Sequence, residues 1–320
     1  MLYPLKLKAS LKEYIWGGTR LKTEYNKETS LETVAESWEL ACHKDGRSII
    51  TNGEAAGMEL QSYIALKGER ILGSHAYRYS YFPLLVKLID ASKDLSVQVH
   101  PANDYALEHE GEYGKTELWY VVDAEPDASL IYGFKREISK EEFRRRIEDN
   151  TLLEVCNRVP AKKGDIFFID AGTLHSIGAG IVLAEVQQNS NTTYRVFDYG
   201  RVGKDGQKRE LHIDKALDVT HLTPEVPQIL PQPMTFMAEY DMRLIGDCEF
   251  FTVYHFDIHG RCHFQTKAES FHHILVLDGV LELEYRSGVE ILEKGDSIFI
   301  PANYGEYWIR GQGNLLLSYI

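Results

Sequence analysis

Short stretches in which apolar and polar residues alternate recur along this chain, and helical spacings are few and brief. The pattern predicts a mainly β protein. Leu95-Ser96-Val97-Gln98-Val99-His100-Pro101 is the most informative stretch. On a strand, side chains two apart share a face, so Gln98 and His100 point one way and Val97 and Val99 the other. Leu118 to Val122 reads as a second strand with Glu117 at its start, and further strands are predicted at 166–169 and 181–187. The dense apolar run from Phe82 to Asp90 predicts a strand buried on both faces. Its Lys87 either snorkels to solvent or faces a polar cavity. In Ala35–Ala41 alternation puts Glu36, Trp38 and Leu40 on one face and Ser37 and Glu39 on the other; two acids in so short a strand suggest a solvated edge.

Helical signals punctuate these strands. Leu60, Tyr63, Ile64, Ile71 and Leu72 fit a helical period across about 58–73, interrupted by Gly68 and Gly73. A short capped helix is predicted over Asn103–Glu110 and another over His212–Val219. Ser139-Lys140-Glu141-Glu142 is a capping box that opens a charged helical insertion over about 137–157. Four prolines between Thr223 and Pro233 mark a linker, 223–235, between a first domain, 1–222, and a second, 236–320. The second domain echoes the first: Lys163-Gly164-Asp165-Ile166-Phe167-Phe168-Ile169 matches Lys294-Gly295-Asp296-Ser297-Ile298-Phe299-Ile300. In that alignment His175 falls on Glu306, and nothing repeats the Gln-x-His pair. His272 and His273 are adjacent, so on a strand they face opposite sides. The second domain is therefore expected to carry no metal.

Candidate chemistry gathers in the first domain. Gln98 and His100 on one strand face, Glu117 at the start of the next strand and His175 after the turn Asp170-Ala171-Gly172-Thr173-Leu174 offer an amide, a carboxylate and two imidazoles. That donor set suits a divalent first-row cation with an open position better than a structural zinc site, which would use several cysteines. Trp16, beside the turn Gly17-Gly18, is either a lid on a pocket or a core plug.

Composition narrows the partners. A net charge of −13 and a pI near 5.4 argue against nucleic acid or an anionic membrane, so any anionic substrate needs cations concentrated locally. No apolar run approaches 18 residues, and the N-terminal segment lacks a cleavage pattern, so a cytoplasmic protein is expected. Cys42, Cys156, Cys248 and Cys262 are scattered and read as reduced thiols, although Cys248 and Cys262 could lie on neighbouring strands.

The pattern of a glycine, a buried strand, a turn and a histidine, paired with an upstream x-His strand and a later Glu, is that of cupins. Within them, Gln98-x-His100-Pro101, Gly114-Lys115-Thr116-Glu117, Asp170–His175 and Gln187-x-Asn189-Ser190-x-Thr192-Thr193-Tyr194-Arg195 resemble the type I mannose-6-phosphate isomerases in their short bacterial form. The likeness spans roughly residues 10 to 220. It implies two jelly-roll (cupin) barrels in tandem with a short helical insertion in the first. It implies one Zn2+ per chain on Gln98, His100, Glu117 and His175, and a catalytic Arg195. Lys115 and Glu185 are implied as active-site residues, and Arg201 stands where longer relatives use a lysine; it either binds the phosphate or pairs with Asp198 and Asp205. Two departures are visible: Asp170 replaces the usual cupin proline, and the large helical insertion of longer relatives is absent.

The implied reaction moves a proton between C2 and C1 of a hexose 6-phosphate through a cis-enediol. It needs a stabilised oxyanion and a base, for which Glu185 is the first candidate, the other reading of Glu185 being a structural partner of Arg195. Lys87, Lys115, Arg195 and Arg201 would supply the local cations, with Lys87, Arg201 and Trp16 touching substrate. The rival readings are a cupin iron or manganese oxygenase, which also uses two imidazoles and a carboxylate, and a non-catalytic sugar-binding cupin.

Overall fold

The computed structural model describes residues 2–203, 206–227 and 233–320, and within them the chain is mainly β. A six-stranded antiparallel sheet lies at the centre, in the order Ile166–Ile169, Glu117–Ala124, Ile181–Gln188, Leu84–Ala91, Glu36–Leu40 and Ser10–Lys12. Both of its faces are covered, which is why Leu84–Ala91 and Ile181–Gln188 are buried at every position. Alternation sorts them. Val86, Leu88, Leu118, Tyr120, Ala184 and Val186 face the C-terminal region and pack with Val253, Leu275 and Phe299. Ile89, Trp119, Val121 and Leu183 face the other way, against Leu130, Tyr132 and Ile177.

Those last three belong to a five-stranded sheet ordered Cys156–Pro160, Ser129–Phe134, His175–Ile177, Val97–Val99, Tyr194–Phe197. Its outer side is sealed by helices Lys140–Glu148 and Ile213–Val219 through Phe143, Ile147, Ala216 and Leu217. The capping box is formed, with Glu142 N donating to Ser139 Oγ at 3.1 Å. Phe143 and Ile147 are four apart and buried, whereas Glu141, Arg145 and Glu148 are exposed. Each buried apolar side chain of this size contributes roughly 1.5–3 kcal/mol. The helical insertion is shorter than 137–157, because Cys156–Pro160 is drawn into the sheet as an edge strand. The helix expected over 58–73 likewise stops at Lys67, where Gly68 takes φ 84°, and only two 3-10 turns follow.

A ten-stranded sheet forms the C-terminal region. Its path runs Thr235–Phe236, Tyr240–Asp247, Thr252–Ile258, Gly305–Tyr319, His272–Tyr285, Ser297–Ile300, Leu5–Lys8, Ile49–Ile50, with Arg261–Thr266 and Gly288–Glu293 paired to the two long strands. The sequence reads as two strands, Phe271–Leu277 and Val280–Tyr285, but one strand runs through both. A bulge absorbs the break: pairing shifts register between Val276 and Asp278, and Gly279 sits at φ 88°, where a Cβ would meet Gln312 O at 2.2 Å. Ile274 and Leu283, from opposite halves of that strand, share one core cluster, so the sheet curls over its own apolar face. The order of strands in each sheet ends in free edges among the described residues, so none closes into a barrel.

The N-terminal strand Leu5–Lys8 joins the C-terminal sheet, with Leu5 opposite Phe299. Three further expectations meet the structure. Glu36–Leu40 is not a solvated edge: it lies between two strands, and Glu39 is fully buried on Lys27, 2.7 Å away. Cys248 and Cys262 are not on neighbouring strands, and all four cysteines are free thiols. The proline-rich stretch includes residues 228–232, outside the described part; Pro224 on its near side bridges to Phe134.

Candidate metal centre and cavity

The space between the central and five-stranded sheets holds a cavity of about 250 Å³. Register explains its lining. Trp38, Lys87, Glu185, Trp119 and Phe167 stand directly opposite one another across the central sheet, forming one row on its inner face. Two residues back along Glu117–Ala124 comes Glu117, and two before that Lys115. On the facing sheet His175 and Arg195 both pair with Gln98, so these three share a row and His100 follows two residues on.

His100, Glu117 and His175 are brought together, with one ligand atom from each within 4.8 Å of the others. All are buried. His100 Nδ1 donates to Thr192 O at 2.9 Å and His175 Nδ1 to Thr173 O at 2.8 Å. Each ring thereby turns its Nε2 lone pair inward, and the two Nε2 atoms face each other at 3.1 Å. Burial, reinforced by Lys115, pushes the His100 pKa well down and that of His175 to about 3, so both rings are neutral. Glu117 Oε1 has no hydrogen-bond partner among the described residues and lies 3.4 Å from His175 Nε2, while Lys115 Nζ donates to Glu117 Oε2 and to His100 Nε2. Lys115 answers only His100 Nε2 and Glu117 Oε2; the inward lone pair of His175 Nε2 and the buried Glu117 Oε1 face each other with no proton between them, so the donor set fits a divalent metal. Gln98, half-buried, lines the adjoining cavity wall.

Around the triad the cavity is polar and rich in charge. Lys87, which faces the cavity and does not snorkel, pairs with Glu185 at 2.9 Å and lies 3.8 Å from Glu36. Burial works against the Lys87 charge, but Glu185 and Glu36 outweigh it and the pKa lies above the ordinary lysine value. Glu185 also accepts from Trp119 Nε1 at 2.9 Å. Burial opposes its charge too, yet Lys115 and Lys87 hold its pKa below the ordinary carboxylate value. Glu117 is displaced the other way, upward, by burial and by Glu185.

Arg195 is mostly buried against the cavity, and its Nε has no hydrogen-bond partner among the described residues. Burial and the nearby Arg209 and Arg201 lower its pKa. Trp16 is both plug and wall: 4% exposed, it packs in the core, lines the cavity and stacks on Tyr14 at 5.4 Å. Arg201 does not line the cavity. It donates to Asp198 and to Asp94 O; Asp205, its other suggested partner, is outside the described residues.

The sequence reading missed Arg209, Glu36, Tyr14, Asn191 and Thr193 as lining residues. Glu36 shares a strand face with Trp38, and that alternation was a usable signal once Lys87 was known to look inward. Arg209 has no periodic pattern around it, and its hydrogen bonds to Asp198, one at 2.8 Å, hold it at the cavity rim.

Comparison with known proteins agrees with this geometry. Residues 4–125 match the model of the phosphomannose isomerase type I catalytic domain, and residues 242–320 that of the mannose-6-phosphate isomerase cupin domain. The mannose-6-phosphate isomerase of Streptococcus mutans is 38% identical over 319 residues, covering 100% of this chain and 99% of that one. The probable mannose-6-phosphate isomerase GmuF of Bacillus subtilis is 36% identical, with 100% of each chain covered. The crystal structure of the mannose 6-phosphate isomerase from Bacillus subtilis superposes with a TM-score of 0.91 at 34% identity, over 99% of both chains. The chain belongs to the type I phosphomannose isomerase family.

Proposed function

We propose that the protein is an aldose-ketose isomerase interconverting mannose 6-phosphate and fructose 6-phosphate, with one Zn2+ held by Gln98, His100, Glu117 and His175. The observation that carries the reading is the convergence of two neutral imidazoles and a buried carboxylate beside a cavity lined by Lys87, Lys115, Arg195 and Arg209. Zinc held by those residues would supply Lewis-acid stabilisation of the negative charge that develops on the substrate.

The chain's own groups do the rest. Glu185 takes the proton from C2 of the open-chain aldose, the O2 hydroxyl proton passes to O1 across the cis-enediolate, and Glu185 returns its proton to C1 as the C2 carbonyl forms; the ketose reacts by the reverse sequence. Lys87 and Lys115 keep it ionised, the form that can accept a proton. The same pairing makes it a weak base, so the C2 proton must be acidified by charge stabilisation on the enediolate. Arg195, directly across from Gln98, supplies that stabilisation with its unpaired Nε, and Lys115 supplies it from the facing sheet. Arg209 is anchored by Asp198 and suits the phosphate end, with Arg201 acting through Asp198. Trp16 and Ile89 give the sugar an apolar wall.

We place this catalytic unit in residues 1–222 and a second cupin-like jelly roll, without a metal, in 236–320, joined by the linker 223–235. The curled C-terminal sheet and the stacked sheets around the cavity support that arrangement. Free thiols support a cytoplasmic setting, and the net charge of −13 supports a partner list without nucleic acid or membrane.

A coupled isomerisation assay on mannose 6-phosphate and on unphosphorylated mannose, with and without chelator, tests the proposal. Turnover of the phosphorylated sugar alone, abolished by chelator and restored by zinc, is expected. Equal rates on both sugars, or rates indifferent to chelator, would overturn it.

A further inference from the structure

Glu112 lies in the connection after helix Asn103–His109, outside the cavity lining, yet it gathers more donors than any carboxylate within the site. Its Oε2 accepts from Asn191 N at 3.0 Å, Thr192 Oγ1 at 3.2 Å and Ser190 Oγ at 3.5 Å. Its Oε1 faces His43 Nε2 at 3.3 Å and Lys44 Nζ at 2.7 Å. The His43 contact, against the cost of burial and with help from Lys44, holds the Glu112 carboxyl well below the usual range.

The stretch it grips is the one that meets the metal centre from behind. Thr192 O is the acceptor of His100 Nδ1–H, and Asn191 and Thr193 on either side line the cavity. A second tie runs to the same stretch from the turn of the hairpin Cys42–Arg47, where Asp45 accepts from Asn191 Nδ2 at 2.9 Å. These residues are in neither strand nor helix, so side-chain bonds of this kind are what fix them. The carboxylate accepts on both oxygens here, and an amide keeps only one acceptor, so its N–H2 is turned either on the three donors at Oε2 or on His43 and Lys44 at Oε1.

We infer that Glu112 is a positioning residue for the metal centre: through Ser190–Thr192 it holds the Thr192 carbonyl on His100 and so fixes which imidazole nitrogen is offered to the ion. The inference rests on the metal reading above. It predicts that Glu112→Gln weakens zinc binding while leaving the donor set complete.

The test is competition of the chelated full-length protein against a chromophoric zinc chelator, run alongside the thermal melt of the zinc-free protein. Wild type binding one zinc per chain tests the metal reading by itself. Given that, Glu112→Gln should weaken the zinc Kd by about 10-fold, the lower end of what outer partners of metal ligands contribute. Thr192→Val, which removes one of the three donors and keeps the carbonyl, should show a smaller loss. Lys44→Ala, which touches only Oε1, should bind zinc as wild type does. In the zinc-free protein with 15N-labelled histidine, the Nδ1–H tautomer of His100 should give way partly to Nε2–H in Glu112→Gln. A merely structural role would shift the melt without moving the tautomer. An unchanged Kd in Glu112→Gln, or an equal loss in Lys44→Ala, would overturn the inference; if Glu112→Gln does not fold, an unchanged Kd in Thr192→Val would do so.

Discussion

Replacing Lys87 with Met is the sharpest probe of the charge balance inside the cavity. The side chain is 4% exposed, with its Nζ 2.9 Å from Glu185 and 3.8 Å from Glu36. At an effective dielectric of about 20 these contacts correspond to Coulomb attractions of roughly 6 and 4 kcal/mol. Desolvation of the buried charges offsets part of this, and removing one member of such a group typically costs about 3–5 kcal/mol, because the carboxylates are left buried without a partner. Urea unfolding of chelator-treated protein at pH 7 should show Lys87→Met less stable than wild type by that amount. Adding Glu185→Gln should restore at least about 2 kcal/mol by removing the stranded charge. The sign of the pH effect follows. Without Lys87 the Glu185 pKa rises, so the penalty is full above that raised value and shrinks as pH falls through it, narrowing the gap to wild type on the acid side. A gap below about 1 kcal/mol, or a double variant no better than the single one, would refute the reasoning.

Three further outcomes follow from the same geometry. Arg195→Ala should lower kcat on mannose 6-phosphate by on the order of 100-fold with bound zinc unchanged; an unaltered kcat would remove Arg195 from the mechanism. His255 and His273 are buried and neutral, with pKa values lowered to about 4 and about 3, so the unfolded chain takes up their protons first. The stability they preserve is whole above the ordinary histidine value near 6.5 and is lost as pH falls below it, by roughly 2 kcal/mol per histidine at pH 5; urea midpoints that do not fall from pH 7 to pH 5 would contradict this. Gly279→Ala should cost about 2 kcal/mol or more, since its Cβ would meet Gln312 O at φ 88°; a thermal melt matching wild type would show that the bulge relaxes freely.

How much of this was legible in the sequence depended on whether one short period sufficed. Gln98 and His100 could be placed on one face because strand geometry fixes i and i+2, and Lys115, Glu117 and Trp119 obey the same rule. Lys87 stayed ambiguous, since nothing local tells a snorkelling lysine from one facing a cavity; Glu185 opposite it and Glu36 diagonal to it decide it, and they are distant in sequence. The same blindness made Glu36 look like a solvent-side acid. The pairing of Leu5 with Phe299 joins the chain's two ends, and no local pattern announces a partner that far away. Gly279 read as a break between strands because its positive φ serves turns and bulges alike. Arg209 and Glu112 act through bonds to Asp198 and to the 190–192 stretch, contacts that exist only once the sheets are stacked.

The central claim is that the convergent imidazoles and carboxylate hold the ion on which isomerisation depends. The most direct measurement is zinc per chain and mannose 6-phosphate turnover on the same preparations of wild type, His100→Ala, Glu117→Ala and His175→Ala. The account predicts one zinc and full turnover in wild type, with both lost together in each variant. Full turnover in a variant that carries no metal would contradict it.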